Sequence, residues 1–202
     1  MLSPPLLWPS VATPRAEFAA VKDLYEHLTG LKYNVEAWDA GLQLYNLAMH
    51  PPTDVDRDVA ARWRFVAAGE CVFQLHHLKK RIEKIRGVMI KKCPSLSDAI
   101  DFTKLRQSAK LLNEYFPDID GLRDAMAHAG EFDAHPEIHA PDGMFALKGF
   151  REPHRFSAPF KRKLYYLDIT DETLARITEV VVKIFEGFMP ASEMLEAQRH
   201  VE

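Results

Sequence analysis

The stretch AGECVFQLHHLKKRIEKIRGVM, residues 68–89, decides the fold class. Its apolar residues recur at spacings of three and four without a slip, which is the period of one face of an α-helix. The stripe consists of Ala68, Cys71, Leu75, Leu78, Ile82, Ile85 and Met89. A stripe of this length predicts one long helix, from about residue 54 to residue 90, with a continuous buried face.

The same period recurs through most of the chain and predicts further amphipathic helices. A first helix begins at Thr13-Pro14 and is expected to end at Gly30, because proline suits the first helical position and glycine the end. The other predicted helices cover about residues 34–49, 98–116, 119–130 and 171–190. Prolines or a glycine follow each of them, and we expect Pro190 to end the last one.

Two short β-prone runs interrupt this helical pattern, at residues 145–150 and 164–168. About a dozen polar and basic residues separate them, which predicts a two-stranded hairpin with a long basic loop. The expected fold class is therefore all-α, a bundle of five to six amphipathic helices with a small β-hairpin insertion at about residues 144–168. We expect a single helical domain over residues 14–190, an N-terminal extension (1–13) and a C-terminal tail (191–202).

Composition excludes several classes of protein. The chain has 202 residues, of which 47% are hydrophobic and 27% charged, as in ordinary globular proteins. No apolar run reaches the ~20 residues that a bilayer span needs, and the prolines near the N-terminus do not suit a secretory signal. The two cysteines belong to no CxxC pair and cannot form a disulfide framework. We therefore expect a cytoplasmic protein with no membrane partner.

Basic residues are concentrated in two segments of this acidic chain. Residues 79–92 carry a net charge of +6 although the whole chain carries −3, and residues 151–163 form a second basic segment. Such patches attract phosphate locally whatever the overall charge. The candidate nucleic-acid-binding residues are Lys79, Lys80, Arg81, Lys84, Arg155, Lys161 and Arg162. The alternative interpretation is a solvated helix face and a polar loop.

A short motif in the predicted helix at residues 119–130 carries the candidate chemistry. It reads Arg123-Asp124-Ala-Met-Ala-His128. Arginine offers a fixed cation with several donors for a phosphate, and histidine exchanges a proton near neutral pH. Asp124 precedes His128 by one helical turn, so its carboxylate is placed to orient the imidazole. The alternative is a helix with an exposed arginine and ordinary alanine packing.

This motif and the helical context resemble the HEPN superfamily, whose hallmark is an arginine, four to six residues and a histidine, with a polar residue directly after the arginine. The resemblance implies an all-α protein that forms a homodimer with the two motifs lining one cleft. It implies a metal-independent RNA endonuclease, of the kind found in toxin–antitoxin, phage-defence and RNA-processing systems. His128 would then act as general base or acid, Arg123 would stabilise phosphate charge, and Asp124 would support the pair.

Three functions remain open at this point. The first is RNA cleavage on single-stranded RNA, without a metal or another cofactor. The second is a non-catalytic HEPN-like interaction module that binds a nucleotide or a protein partner such as an antitoxin. The third is an unrelated bundle that binds a metal or small molecule, for which the His135-x3-His139 spacing is the main support. Because prolines and a glycine surround these two histidines, we expect a loop there rather than a metal-binding helix.

Overall fold

The computed structural model describes residues 2–128 and 149–199. It is mostly helical with a small antiparallel sheet, which confirms the predicted fold class. The α-helices are α1 (Phe18–Met49), α2 (Arg57–Lys84), α3 (Phe102–Tyr115), α4 (Ile119–Ala127) and α5 (Asp171–Arg199), and the strands are β1 (Gly149–Glu152), β2 (Arg155–Phe160) and β3 (Lys163–Asp168). No helix among the described residues is both long and apolar enough to cross a bilayer.

Two compact units make up the chain, and long helices contribute to both. The first unit contains the chain up to Val35, His77–Tyr115 and the chain from Arg176 onward. The second contains Glu36–His76 and Phe116–Ala175. Every residue of the apolar stripe in 68–89 is buried, so the decisive pattern of the sequence is confirmed. After Lys84 the helical path widens into a π-helical segment, Ile85–Met89.

The prediction that Gly30 ends a first helix is wrong, because α1 runs without interruption from Phe18 to Met49. Gly30 is buried, and a Cβ atom there would lie 2.6 Å from Cζ of Arg81. The glycine therefore makes room for an arginine from α2. Local propensity gave way to tertiary packing at this position.

The prediction that Pro190 ends the last helix is also wrong, because α5 continues to Arg199. Ala191 and Leu195 are buried beyond the proline, and the Ser192 hydroxyl donates a hydrogen bond to the Leu6 carbonyl at 3.0 Å. This packing offsets the helical hydrogen bond that proline cannot make. Most of the expected C-terminal tail is thus helical.

The sheet has three strands in the order β1-β2-β3, whereas the sequence pattern predicted two. Part of the expected basic loop is strand β2, which pairs with β3 from Arg155↔Asp168 to Phe160↔Lys163. Its residues from Phe156 to Phe160 are all buried, so the strand lacks the alternation that marks a half-exposed strand in a sequence. The predicted loop over residues 131–143, with His135 and His139, lies outside the described residues.

Candidate functional site

Helix α4 carries the Arg-x4-His motif and packs against β2 and β3 in the second unit. Its buried residues Ile119, Leu122 and Ala125 follow the helical period, which turns the motif residues toward the opposite faces. Gly121 allows the close approach of the sheet, because a Cβ atom there would lie 2.8 Å from Cδ1 of Tyr165. The helix that carries the motif is therefore packed closely against the sheet.

Two polar contacts hold the beginning of α4. The Lys163 ammonium donates to Asp118 at 2.6 Å and ties the start of β3 to the residue before the helix. This hydrogen bond raises the pKa of Lys163. On the other side, Nε2 of His76 in α2 lies 3.5 Å from the carboxylate of Asp120. Residues far apart in sequence thus position one short helix.

Arg123 and Asp124 form an ion pair within the motif. The Arg123 guanidinium donates from Nη1 to Oδ1 of Asp124 at 3.0 Å. Their side chains are 41% and 45% exposed, so solvent reaches both partners. Arginine has five N–H donors in a planar fork, and one carboxylate contact leaves donors for a second anion. Asp124 was expected to orient His128, and the contact in the structure shows it holding Arg123.

His128 caps the C-terminal end of α4 and is exposed. Its backbone N–H donates to the Asp124 carbonyl at 2.9 Å, which closes the last helical turn. The imidazole stacks on the ring of Phe160, with centroids 5.5 Å apart and planes 18° from parallel. This stacking fixes one face of the ring while the side chain remains accessible, as a proton-transferring histidine requires.

Phe160 leads directly into a strained basic turn between β2 and β3. Lys161 and Arg162 have φ angles of 47° and 61°. These angles lie in the left-handed region, which residues other than glycine and asparagine rarely adopt. The Lys161 ammonium lies 5.1 Å from the centroid of the Phe160 ring. The turn therefore brings Lys161, a predicted nucleic-acid-binding residue, next to the aromatic ring that supports His128, and Arg162 follows it in the turn.

The third basic residue predicted in this region, Arg155, is held by carboxylates. Its guanidinium donates to both oxygens of Asp168, at 2.7 and 3.1 Å, and to Glu152 at 3.4 Å. The hydrogen bond with Asp168 is the main cause of its raised pKa. Its charge is therefore compensated by acidic neighbours.

The other predicted basic residues belong to the first unit. Lys79, Lys80, Arg81 and Lys84 lie on the last turns of α2. Lys80 forms an ion pair with Glu83 at 3.1 Å, and both side chains are about half exposed. Arg81 lies against Gly30 of α1.

Neither cysteine has the properties of a nucleophile. Burial raises the pKa of Cys71 to about 12 and that of Cys93 to about 11. Lys92 lowers the pKa of Cys93, but burial has the larger effect. Among the residues that the structure describes, no group of three or more histidine, cysteine or acidic side chains is arranged to hold a metal ion.

Sequence reasoning found Arg123, Asp124 and His128 but missed the groups around them. Phe160, Tyr165 and the Asp118–Lys163 pair position the motif, and they come from strands that the helical period does not detect. The signal that was available is the β-prone run at the start of β3, which follows a pair of basic residues. Comparisons of the chain with protein-family models, curated proteins and solved structures find no match.

Proposed function

We propose that the protein is a HEPN-like, metal-independent RNA endonuclease that acts as a homodimer, with Arg123 and His128 as its catalytic residues. One observation carries this proposal. The exposed imidazole of His128 is stacked on Phe160, whose ring centroid also lies 5.1 Å from the Lys161 ammonium, and Arg162 follows in the same turn. Phe160 itself is buried, so the exposed imidazole is the aromatic group that a base can reach. Stacking on such a ring together with phosphate contacts by cations is how proteins bind single-stranded nucleic acid.

The chemistry follows from these groups. His128 takes the proton of a ribose 2′-hydroxyl, whose oxygen attacks the adjacent phosphorus. The bond from phosphorus to the 5′-oxygen breaks, and that oxygen receives a proton from an imidazolium. The products are a 2′,3′-cyclic phosphate and a 5′-hydroxyl end. The Arg123 guanidinium stabilises the charge that grows on the phosphate oxygens, while Asp124 holds the guanidinium in place.

The homodimer gives this scheme two motifs in one cleft. A single imidazole has to act as base for the attacking hydroxyl and then as acid for the leaving oxygen. A second copy of His128 divides these two roles between protomers. The proposed assembly therefore predicts that cleavage depends on protein concentration wherever the monomer is populated.

A cleavage assay on labelled single-stranded RNA in EDTA tests the proposal. We expect wild-type protein to cleave and to leave a 2′,3′-cyclic phosphate. His128→Ala should lower the rate by about 10²- to 10⁴-fold, the usual range for losing proton transfer, and Arg123→Ala should also lower it strongly. His50→Ala and Arg57→Ala remove an exposed histidine and an exposed arginine elsewhere, and they should cleave like wild type. Equal cleavage by His128→Ala and wild type would overturn the assignment.

A non-catalytic interaction module is the second candidate, and the Arg123–Asp124 pair favours it. The carboxylate compensates part of the charge that a nuclease directs at phosphate. Wild-type protein that binds RNA, a nucleotide or a protein partner without cleaving RNA would favour this module. In that case Asp124→Asn, which keeps the shape and removes the negative charge, should tighten RNA binding.

A further inference from the structure

An open pocket of about 350 Å³ lies in the first unit, apart from any residue of the proposed catalytic motif. Every side chain that lines it is basic or a histidine: His27 of α1, and His77, Lys80, Arg81 and Lys84 of α2. The four residues of α2 follow each other at spacings of three, one and three, which places them along one side of the helix. The buried stripe formed by Leu78, Ile82 and Ile85 anchors that helix beside the pocket.

The charge of this pocket is unbalanced. Arg81 and Lys84 contribute two permanent positive charges, and Lys80 contributes a third that its ion pair with Glu83 partly compensates. The pocket lining contains no carboxylate, and the nearby Glu83 pairs with Lys80 alone in the contacts described. Like charges that converge on one space repel each other, and an anion in that space removes the repulsion.

Gly30 shows that the arrangement is specific for Arg81. A glycine inside a helix makes the helix less stable than alanine would at the same position. Here it lets the guanidinium lie across the backbone of α1, in space that a Cβ atom would fill. The 32-residue helix α1 thus has no side chain at Gly30, and the guanidinium of Arg81, a cation of the pocket, packs there.

His27 is held in one orientation at the other wall. Its Nδ1 lies 2.9 Å from the Asp23 carbonyl, and since a carbonyl only accepts, Nδ1 carries the hydrogen. A protonated ring therefore has its remaining N–H, on Nε2, for a ligand. The pocket accordingly contains donors from both helices.

We propose that this pocket binds an oligophosphate, a chain of two or three linked phosphate groups. A single phosphate group carries a charge of about −2 at most, which Arg81 and Lys84 alone match. Two or three linked groups occupy more of the space and also engage Lys80, whose ion pair with Glu83 is exposed, and the two histidines. The ligand has two sources that share this chemistry, a free nucleotide and the 5′-triphosphate end of an RNA. The proposal is independent of RNA cleavage at His128.

Calorimetric titration of the full chain with inorganic tripolyphosphate, in buffer of about 0.1 M ionic strength, tests the proposal. We expect saturable binding of one equivalent per chain. Arg81→Gln or Lys84→Gln should weaken it by about tenfold or more, because each removes a charge-assisted hydrogen bond. Lys91→Gln is the matched control, since Lys91 is an exposed lysine of the same basic segment that does not line the pocket. Gly30→Ala, which keeps every charge, should also weaken binding by displacing the guanidinium.

Absence of saturable binding by wild type would overturn the proposal, and so would equal weakening by Lys91→Gln. Competition with ATP and with RNA carrying either a 5′-triphosphate or a 5′-hydroxyl end then identifies the source. A free nucleotide is the ligand if ATP competes as well as the triphosphorylated RNA, and an RNA end is the ligand if that RNA competes better. RNA that competes equally with either end would show general backbone binding and would also overturn the oligophosphate assignment.

Discussion

Replacing the Lys161-Arg162 turn by Asn-Gly should make the protein more stable and less able to bind RNA. Both residues of this two-residue hairpin loop have positive φ, as in a type I′ turn. Asparagine followed by glycine is the pair that adopts this turn with least strain. Natural lysine and arginine at these positions therefore keep the backbone in a costly conformation.

The size of the effect follows from the contacts of the turn. A non-glycine residue in the left-handed conformation lowers the free energy of unfolding by about 1–2 kcal/mol. Glycine removes this cost completely, and asparagine removes part of it. The change also loses the contact of the Lys161 ammonium with Phe160, worth about 0.5 kcal/mol, and adds about 0.5–1 kcal/mol of chain entropy at glycine. The net gain is about 1 kcal/mol, which corresponds to about 2–4 °C in Tm for a chain of this size.

Thermal unfolding and RNA binding are measured on the same variants. Lys161→Gln with Arg162→Gln is the matched control, because it removes both charges and keeps both strained positions. We expect the Gln pair to show no gain in Tm, and both double variants to bind RNA more weakly than wild type. An Asn-Gly variant no more stable than the Gln pair would refute the argument from strain. Unchanged RNA binding by both would remove the turn from the proposed site.

Two further predictions concern stability. Gly121→Ala should lower the free energy of unfolding in urea by about 1–3 kcal/mol, because the new methyl group collides with the Tyr165 ring. Gly87→Ala, with no atom within 4 Å of the new methyl group, should not lower it; equal losses would contradict the collision. Hydrogen bonding, first from Lys104, lowers the pKa of Glu186 in the folded protein. The ionised Glu186 carboxylate therefore contributes fully to the free energy of unfolding above about pH 4.5, and this contribution is lost as the pH falls through the folded pKa. The Tm of Glu186→Gln should accordingly fall less steeply below pH 4.5 than the Tm of wild type. Parallel Tm profiles would count against this account.

The helical core could be predicted from the sequence because its signal is local and periodic. The stripe from Ala68 to Met89 is buried throughout, as its spacing indicated. Predictions of where helices end failed at Gly30 and Pro190, since both depend on distant partners. Arg81 occupies the space at Gly30, and Leu6 receives the hydrogen bond of Ser192 just beyond Pro190.

Of the candidate site, only the motif residues could be predicted from the sequence. Spacing placed Arg123 and His128 on one short helix; Arg123 lies within α4, and His128 is the residue that caps its C-terminal end. It could not show that Asp124 holds Arg123, since a carboxylate at that position reaches either neighbour. Nor could it find Phe160, whose strand belongs to a segment that composition alone marked as a basic loop.

Local rules of stability are broken at Gly30 and in the β2–β3 turn, and both features place cations. Gly30 weakens the middle of α1 and makes room for Arg81, while the β2–β3 turn keeps Lys161 and Arg162 in left-handed conformations. Neither feature is needed to form the helix or the hairpin, because alanine and Asn-Gly would serve those purposes better. Such conflicts between local preference and structure concentrate at functional sites. Since the two features arise in different units and by different means, they support phosphate recognition independently of the Arg-x4-His motif.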